Sequence, residues 1–288
     1  MKPQRAVPLL LSLFLVSCTR LFGPSATLTV AIPNEPVSLD WARASDPASA
    51  MVLSQLQRSL LKLESASQPI ADLAEGWSLD LSGTQYNFVL SKERWSDGVD
   101  LTAGDFVFAW KRILAPTEQD SPAQRTLLKI AGARDYHSGK STDFSTVKVR
   151  AVTPSVLEVV LEKKDADFTV ELCSPSLGPQ RQDVYELHPR DFTSPLHLRT
   201  IGAYQILEWK KGESLLLATN SYSTVQPAVG KVNFLFLDES RAKPLFDRGQ
   251  VEVLSPPTGS RQYIHGAKIG GVPLDAVGRP LFSQVQWK

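Results

Sequence analysis

Thiols, imidazoles and paired carboxylates are the side chains that most often carry chemistry, and in this sequence they are few and dispersed. The two cysteines, Cys18 and Cys173, cannot make a disulfide framework or a four-thiolate metal site. Cys173 lies among Phe168, Val170 and Leu172, which marks it as a core thiol rather than a nucleophile. The four histidines, His137, His188, His197 and His265, are scattered without metal-ligand spacing, so no metal site is expected. No H-E-x-x-H, C-x-x-C or G-x-S-x-G occurs. Gly139-Lys140-Ser141 imitates the end of a phosphate loop, but Arg134 stands where the first glycine belongs and no apolar strand precedes it. Trp77, Trp95, Trp110 and Trp209 read as core rather than as a ligand platform. Carboxylates are plentiful, yet no pair with tuned acidities can be located. The chemistry therefore points away from an enzyme and calls for no cofactor.

What Cys18 follows gives it a different meaning. Lys2 and Arg5 precede an apolar run from Ala6 to Val16, and Leu15-Val16-Ser17 leads into the cysteine, the layout of a secretory signal. The run is about 11 residues, against about 20 for a helix that crosses a bilayer. Leu-Val-Ser-Cys resembles a bacterial lipobox, which implies cleavage before Cys18 and diacylation of its thiol. Acyl chains there contribute about 0.8 kcal/mol per buried methylene and tether the protein without spanning the membrane. Residues 1–17 are thus expected as a signal peptide and 18–26, with Gly23-Pro24-Ser25, as a lipid tether. Removing 17 of 288 residues leaves 271 and, with Lys2 and Arg5 gone, takes the formal charge from +1 to −1. Lys+Arg (31) and Asp+Glu (30) nearly cancel, so nucleic acid is not an expected partner.

The elements that would position any site are of mixed type. Thr27 to Ile32 is β-rich and runs into Pro33-Asn34-Glu35-Pro36, where two prolines forbid helix. Met51, Val52, Leu56, Leu60 and Leu63 predict a helix over 49–63. Gln85 to Leu90 alternates as a strand after the Ser82-Gly83 turn, and Thr102-Ala103-Gly104-Asp105 predicts a capped helix start with Phe106, Trp110, Ile113 and Leu114 on one face. Hairpins are expected from 147 to 161 and from 203 to 218 around Lys210-Lys211-Gly212-Glu213. A strand follows over 232–237, and a short helix over 241–248 ends at Gly249. The class is α/β, mixed α+β.

Several segments, in order, resemble the extracytoplasmic solute-binding proteins of peptide, dipeptide and nickel ABC transporters (family 5), the oligopeptide-binding branch in particular. They are Asn34-Glu35-Pro36-Val37-Ser38-Leu39-Asp40, Ile70 to Trp77, Trp95-Ser96-Asp97-Gly98 through Phe106, Ile201-Gly202-Ala203-Tyr204, and Phe246 to Val253. The resemblance implies a periplasmic-binding-protein-like lobe and a ligand groove to which Asn34, Glu35, Pro36 and Val37 contribute, with Glu35 accepting from peptide amides. Trp95-Ser96-Asp97-Gly98 reads as structural. Relatives continue after Val253 into a second lobe. Here only Leu254 to Ser260 separates Val253 from Arg261-Gln262-Tyr263-Ile264-His265-Gly266, which resembles the family's C-terminal return, so that lobe is expected to be absent. Ala123 stands near a groove tyrosine of the family, and Ile201 replaces a polar residue. The main lobe is expected from 27–48 and 142–288, with 49–141 as an inserted smaller subdomain, the first strand sharing a sheet with the hairpins after Val147, and Val285-Gln286-Trp287 closing it. Two functions follow. One is a lipid-anchored peptide-binding protein of the cell envelope, facing the periplasm or cell exterior and serving an ABC permease. The other is a degenerate single-lobe lipoprotein that meets another envelope protein and captures no free peptide.

Overall fold

The computed structural model describes residues 27–254, apart from 45, 66, 67, 119 and 228, and three short strands beyond them. The expected signal peptide, Cys18 and tether lie outside the described residues. In chain order the elements are β1 (Thr27–Ile32), α1 (Pro47–Leu56), β2 (Leu61–Ser65), β3 (Gln68–Ala71), β4 (Ala74–Leu79), β5 (Gln85–Leu90), α2 (Ala103–Ile113), α3 (Pro122–Leu127) and α4 (Ala133–His137). There follow β6 (Val149–Thr153), β7 (Val156–Val160), α5 (Phe168–Glu171), α6 (Gln182–Leu187), β8 (Tyr204–Lys210), β9 (Ser214–Thr219), β10 (Lys231–Phe236) and α7 (Glu239–Asp247). The last strands are β11 (Val253–Leu254), β12 (Tyr263–Ile264), β13 (Ile269–Gly270) and β14 (Gln286–Trp287).

Two larger sheets organise the chain. The first has six strands in the order β12-β11-β1-β10-β9-β8, and β1 runs parallel to both neighbours, Val30 standing beside Phe234 and Val253. Strand β1 is covered on both faces. Leu28, Val30 and Ile32 enter a core with α1, Leu215, Leu217, Val232 and Phe234, while Ala31 packs with Ala242 of α7, Val251 and Leu254. Double coverage is why Val30, Ala31 and Ile32 run on as consecutive buried apolar residues after the Thr27–Thr29 alternation. The second sheet, β4-β5-β7-β6, is wholly antiparallel and packs Tyr86, Phe88, Leu157 and Val159 against Phe106 and Trp110 of α2.

Of the expected hairpins after Val147, the one formed by β8 and β9 shares the first strand's sheet, and the one formed by β6 and β7 does not. It pairs with β5, because Tyr86/Phe88 and Leu157/Val159 share an apolar face and register, Tyr86 opposite Val159 and Phe88 opposite Leu157. The expected boundaries at 49 and 142 likewise part company with the cores. Helix α1 packs on the six-stranded sheet, and 149–160 belongs to the four-stranded one. Helix α1 also ends at Leu56 instead of Leu63. Gln57 turns extended, and Leu61–Ser65 pairs with Gln68–Ala71. Strand β14 pairs with β13 in a separate two-stranded sheet, not with the main one.

Within the body of the six-stranded sheet, Gly202 leads into β8 against the end of α1: its N–H donates to Leu56 O (2.8 Å), and a Cβ there would stand 2.5 Å from Gln55 O, so only glycine permits this approach. The two bodies meet just before it. Ser96 N–H donates to Thr200 O (2.9 Å), and Trp95 is fully buried, which makes the Trp95-Ser96-Asp97-Gly98 turn a structural joint. Strands β11 and β12 pair antiparallel with residues 255–262 between them, a connection too short to contain a lobe.

Candidate functional site

In open sheets with parallel strands, ligands meet the carboxyl ends of those strands. The carboxyl end of central β1 opens into residues 33–41, where the sequence-selected Asn34, Glu35, Pro36 and Val37 lie. Pro33 and Pro36 have no N–H to give, and they hold their own φ near −65°. The amides of Asn34, Glu35 and Val37, and the carbonyls of 33–37, make no hydrogen bond among the described residues. Pro36 is buried, Asn34 is exposed, and Val37 is 83% exposed, large for an apolar side chain.

Both ends of this unpaired stretch are held. Glu35 Oε1 accepts from Trp209 Nε1 (2.7 Å) and Oε2 from Gly212 N–H (3.0 Å). Lys211 Nζ lies 3.6 Å from Oε1 and 3.3 Å from the centre of the Trp209 ring, an ion pair and a cation–π contact at once. Each Glu35 oxygen thus already carries a donor from the β8–β9 hairpin, Trp209 of β8 and Gly212 of the turn, and in this geometry the carboxylate anchors the segment. At the other end, Ser38 N–H donates to Ser49 Oγ (3.1 Å). Asp40, buried, takes a bidentate pair from Arg112 of α2 (Nη2–Oδ2 2.8 Å, Nη1–Oδ1 3.2 Å). Gln180 Oε1 accepts from the same guanidinium, whose Cζ sits 4.2 Å from the Tyr185 ring centre.

Sequence reasoning identified Lys210-Lys211-Gly212-Glu213 as a turn but missed that it grips Glu35, a contact across 174 or more positions with no local signal. Arg112 was hidden in the same way. Two other expected positions lie inside the protein. Ala123 is 4% exposed in the core beside α2, and Ile201 is fully buried, so neither lines an open groove. Both belong to the apolar core around the four-stranded sheet.

The model of the bacterial extracellular solute-binding proteins, family 5 (middle), matches residues 68–282. The chain belongs to this family. Among curated family 5 relatives, the dipeptide-binding protein DppE of Bacillus subtilis is 31% identical over 185 residues, 64% of this chain and 34% of that protein. The probable deoxycholate-binding periplasmic protein YgiS of Escherichia coli is 31% identical over 212 residues, covering 72% and 39%. Of solved structures, the Escherichia coli murein tripeptide binding protein MppA aligns with a TM-score of 0.73 at 26% identity over 80% of this chain and 45% of that one. Burkholderia pseudomallei OppA aligns at 0.73 and 23% identity, over 81% and 47%, and shows the shared fold. This family 5 chain thus spans less than half the length of these relatives. No helix among the described residues is long and apolar enough to cross a membrane.

Proposed function

We propose that this protein is a lipid-anchored solute-binding protein of the cell envelope that takes an extended peptide along Asn34–Val37 and serves an ABC transporter. The carrying observation is the row of unpaired backbone groups from 33 to 37, clamped at Glu35 and at Asp40. Such a row recognises another backbone and tolerates its side chains. A steroid acid offers no amides to pair, so the deoxycholate named for one relative fits this segment less well than a peptide does. In this reading Glu35 positions the segment, Val37 contacts the ligand, and acyl chains on Cys18 hold the protein at the membrane.

Trp209 reports on the site, since its indole N–H is bonded to Glu35. Mixed peptides should change Trp209 emission and give heat in calorimetry, and the same peptides methylated on their backbone nitrogens should not. Equal binding of methylated peptides, or no heat with any peptide, overturns the reading. A second reading, a single-lobe module docked on another envelope protein, is favoured by the exposure of Val37 and by the short 255–262 connection, which supplies no second body to close over a ligand. It predicts a cross-link from position 37 to one protein partner in intact cells, with no peptide heat. Membrane release of a Cys18→Ser variant tests the anchor.

A further inference from the structure

The histidines that look scattered along the sequence are not all scattered in space. His188 ends α6, and the chain from there to Leu198 folds through successive tight turns. Asp191 N–H donates to His188 O (3.2 Å), Ser194 N–H to Asp191 O (2.8 Å) and His197 N–H to Ser194 O (3.1 Å). These turns bring the His188 and His197 rings together, 3.5 Å between centres and 11° from parallel. Asp191 Oδ2 lies 2.9 Å from His197 Nδ1. One donor atom from each of His188, Asp191 and His197 falls within 4.8 Å of the others.

We propose that His188, Asp191 and His197 form a binding site for a divalent transition cation of the zinc class. Two imidazoles and a carboxylate are the donor set such borderline ions take, and alkaline-earth ions prefer oxygen alone. Bond lengths of about 2.0–2.2 Å place two donors on one tetrahedral ion about 3.3 Å apart. The 2.9 Å between Nδ1 and Oδ2 is already near that separation. Ser194 Oγ also lies 3.4 Å from His197 Nδ1. A cation bound at Nδ1 takes the place of any proton there, which leaves to solvent. Stacked rings hold their in-plane lone pairs side by side rather than converging, so coordination swings His188 out of the stack.

No hydrogen bond pins that half-buried ring, since neither of its nitrogens has a partner among the described residues, and leaving its site costs it the stack on His197. The loop beneath is not free. Phe192 is buried against Tyr185, 5.1 Å between ring centres, and stacks 5.2 Å from the Arg112 guanidinium, which fixes the backbone that carries the donors. His197 and Asp191 keep 17% and 56% of their side-chain surface exposed, so an ion can enter from solvent. Three protein donors leave at least one coordination position open to water or a small ligand.

The test is zinc titration of protein free of any polyhistidine tag, read by competition with a chromophoric chelator and by histidine ring NMR. One zinc ion should bind per chain, shifting the ring resonances of His188 and His197 and leaving His137 unmoved. Asp191→Asn should weaken binding about 10- to 100-fold, and the His188→Gln/His197→Gln double variant should abolish it. Wild-type zinc affinity in the double variant, or ring shifts confined to His137 or His265, overturns the proposal. Should the double variant misfold, the wild-type ring shifts decide alone.

Discussion

The two large sheets of this molecule are built from similar residues and differ in what they can offer. In the six-stranded sheet the central strand is parallel to both neighbours and covered on both faces, and its carboxyl end opens into residues 33–37, whose backbone is unpaired among the described residues. The four-stranded sheet is antiparallel and covered on one face. Phe88 is fully buried while its neighbour Val89 is 39% exposed; short turns join β4 to β5 and β6 to β7, and α2, α3 and α4 lie between β5 and β6. The candidate site therefore follows topology more than composition. The second sheet serves the first, through Arg112 of α2, which reaches across to Asp40.

Removing that link should give the largest effect. Arg112→Met leaves the Asp40 carboxylate buried without its partner, and chemical denaturation should show a loss of about 3–5 kcal/mol. A loss below about 1 kcal/mol would mean that the two bodies are independent of this pair. The contrast between faces comes next. Phe88→Ala should cost about 3 kcal/mol or more, whereas Val89→Ala stays within about 0.5 kcal/mol, and equal losses would show that the outer face of the four-stranded sheet is covered in solution.

The smallest effect is chemical rather than energetic. Cys173 packs beside the four-stranded core, and burial pushes its thiol up from 9.0 to about 12. At pH 8 its thiolate fraction is then about a thousandfold below that of an ordinary thiol. Alkylation should be correspondingly slow and should quicken about tenfold per pH step until pH 12, where it levels. Rapid labelling at pH 8 in the folded protein would show that this region opens.

Much of this was legible in the residues. The β-rich stretch of β1, the capped start of α2 at Thr102 with Asp105 accepting from the Thr102 amide (2.8 Å), and the 203–218 hairpin are local patterns, and each stands where its pattern places it. The ordered motifs also gave the family, because each marks a joint the fold needs, such as Gly202 against α1. Partner choice between strands was not legible. The 149–160 hairpin has an apolar face that any sheet could accept, and only its packing with Tyr86, Phe88 and α2 selects one. The end of α1 was misread because Leu60 and Leu63 continue a helical spacing, while Leu61–Ser65 finds a strand partner at 68–71.

The sequence by itself determined the mixed α/β class and the family, since these rest on local periodicity, turn chemistry and motif order. Tertiary structure alone decided what holds the segment that follows β1. Glu35 meets the β8–β9 hairpin 174 or more positions away, Asp40 meets Arg112 across 72, and the turns after α6 stack His188 on His197. Such contacts depend on how separate elements dock, and docking is set by the shapes of whole apolar faces rather than by any short run of residues.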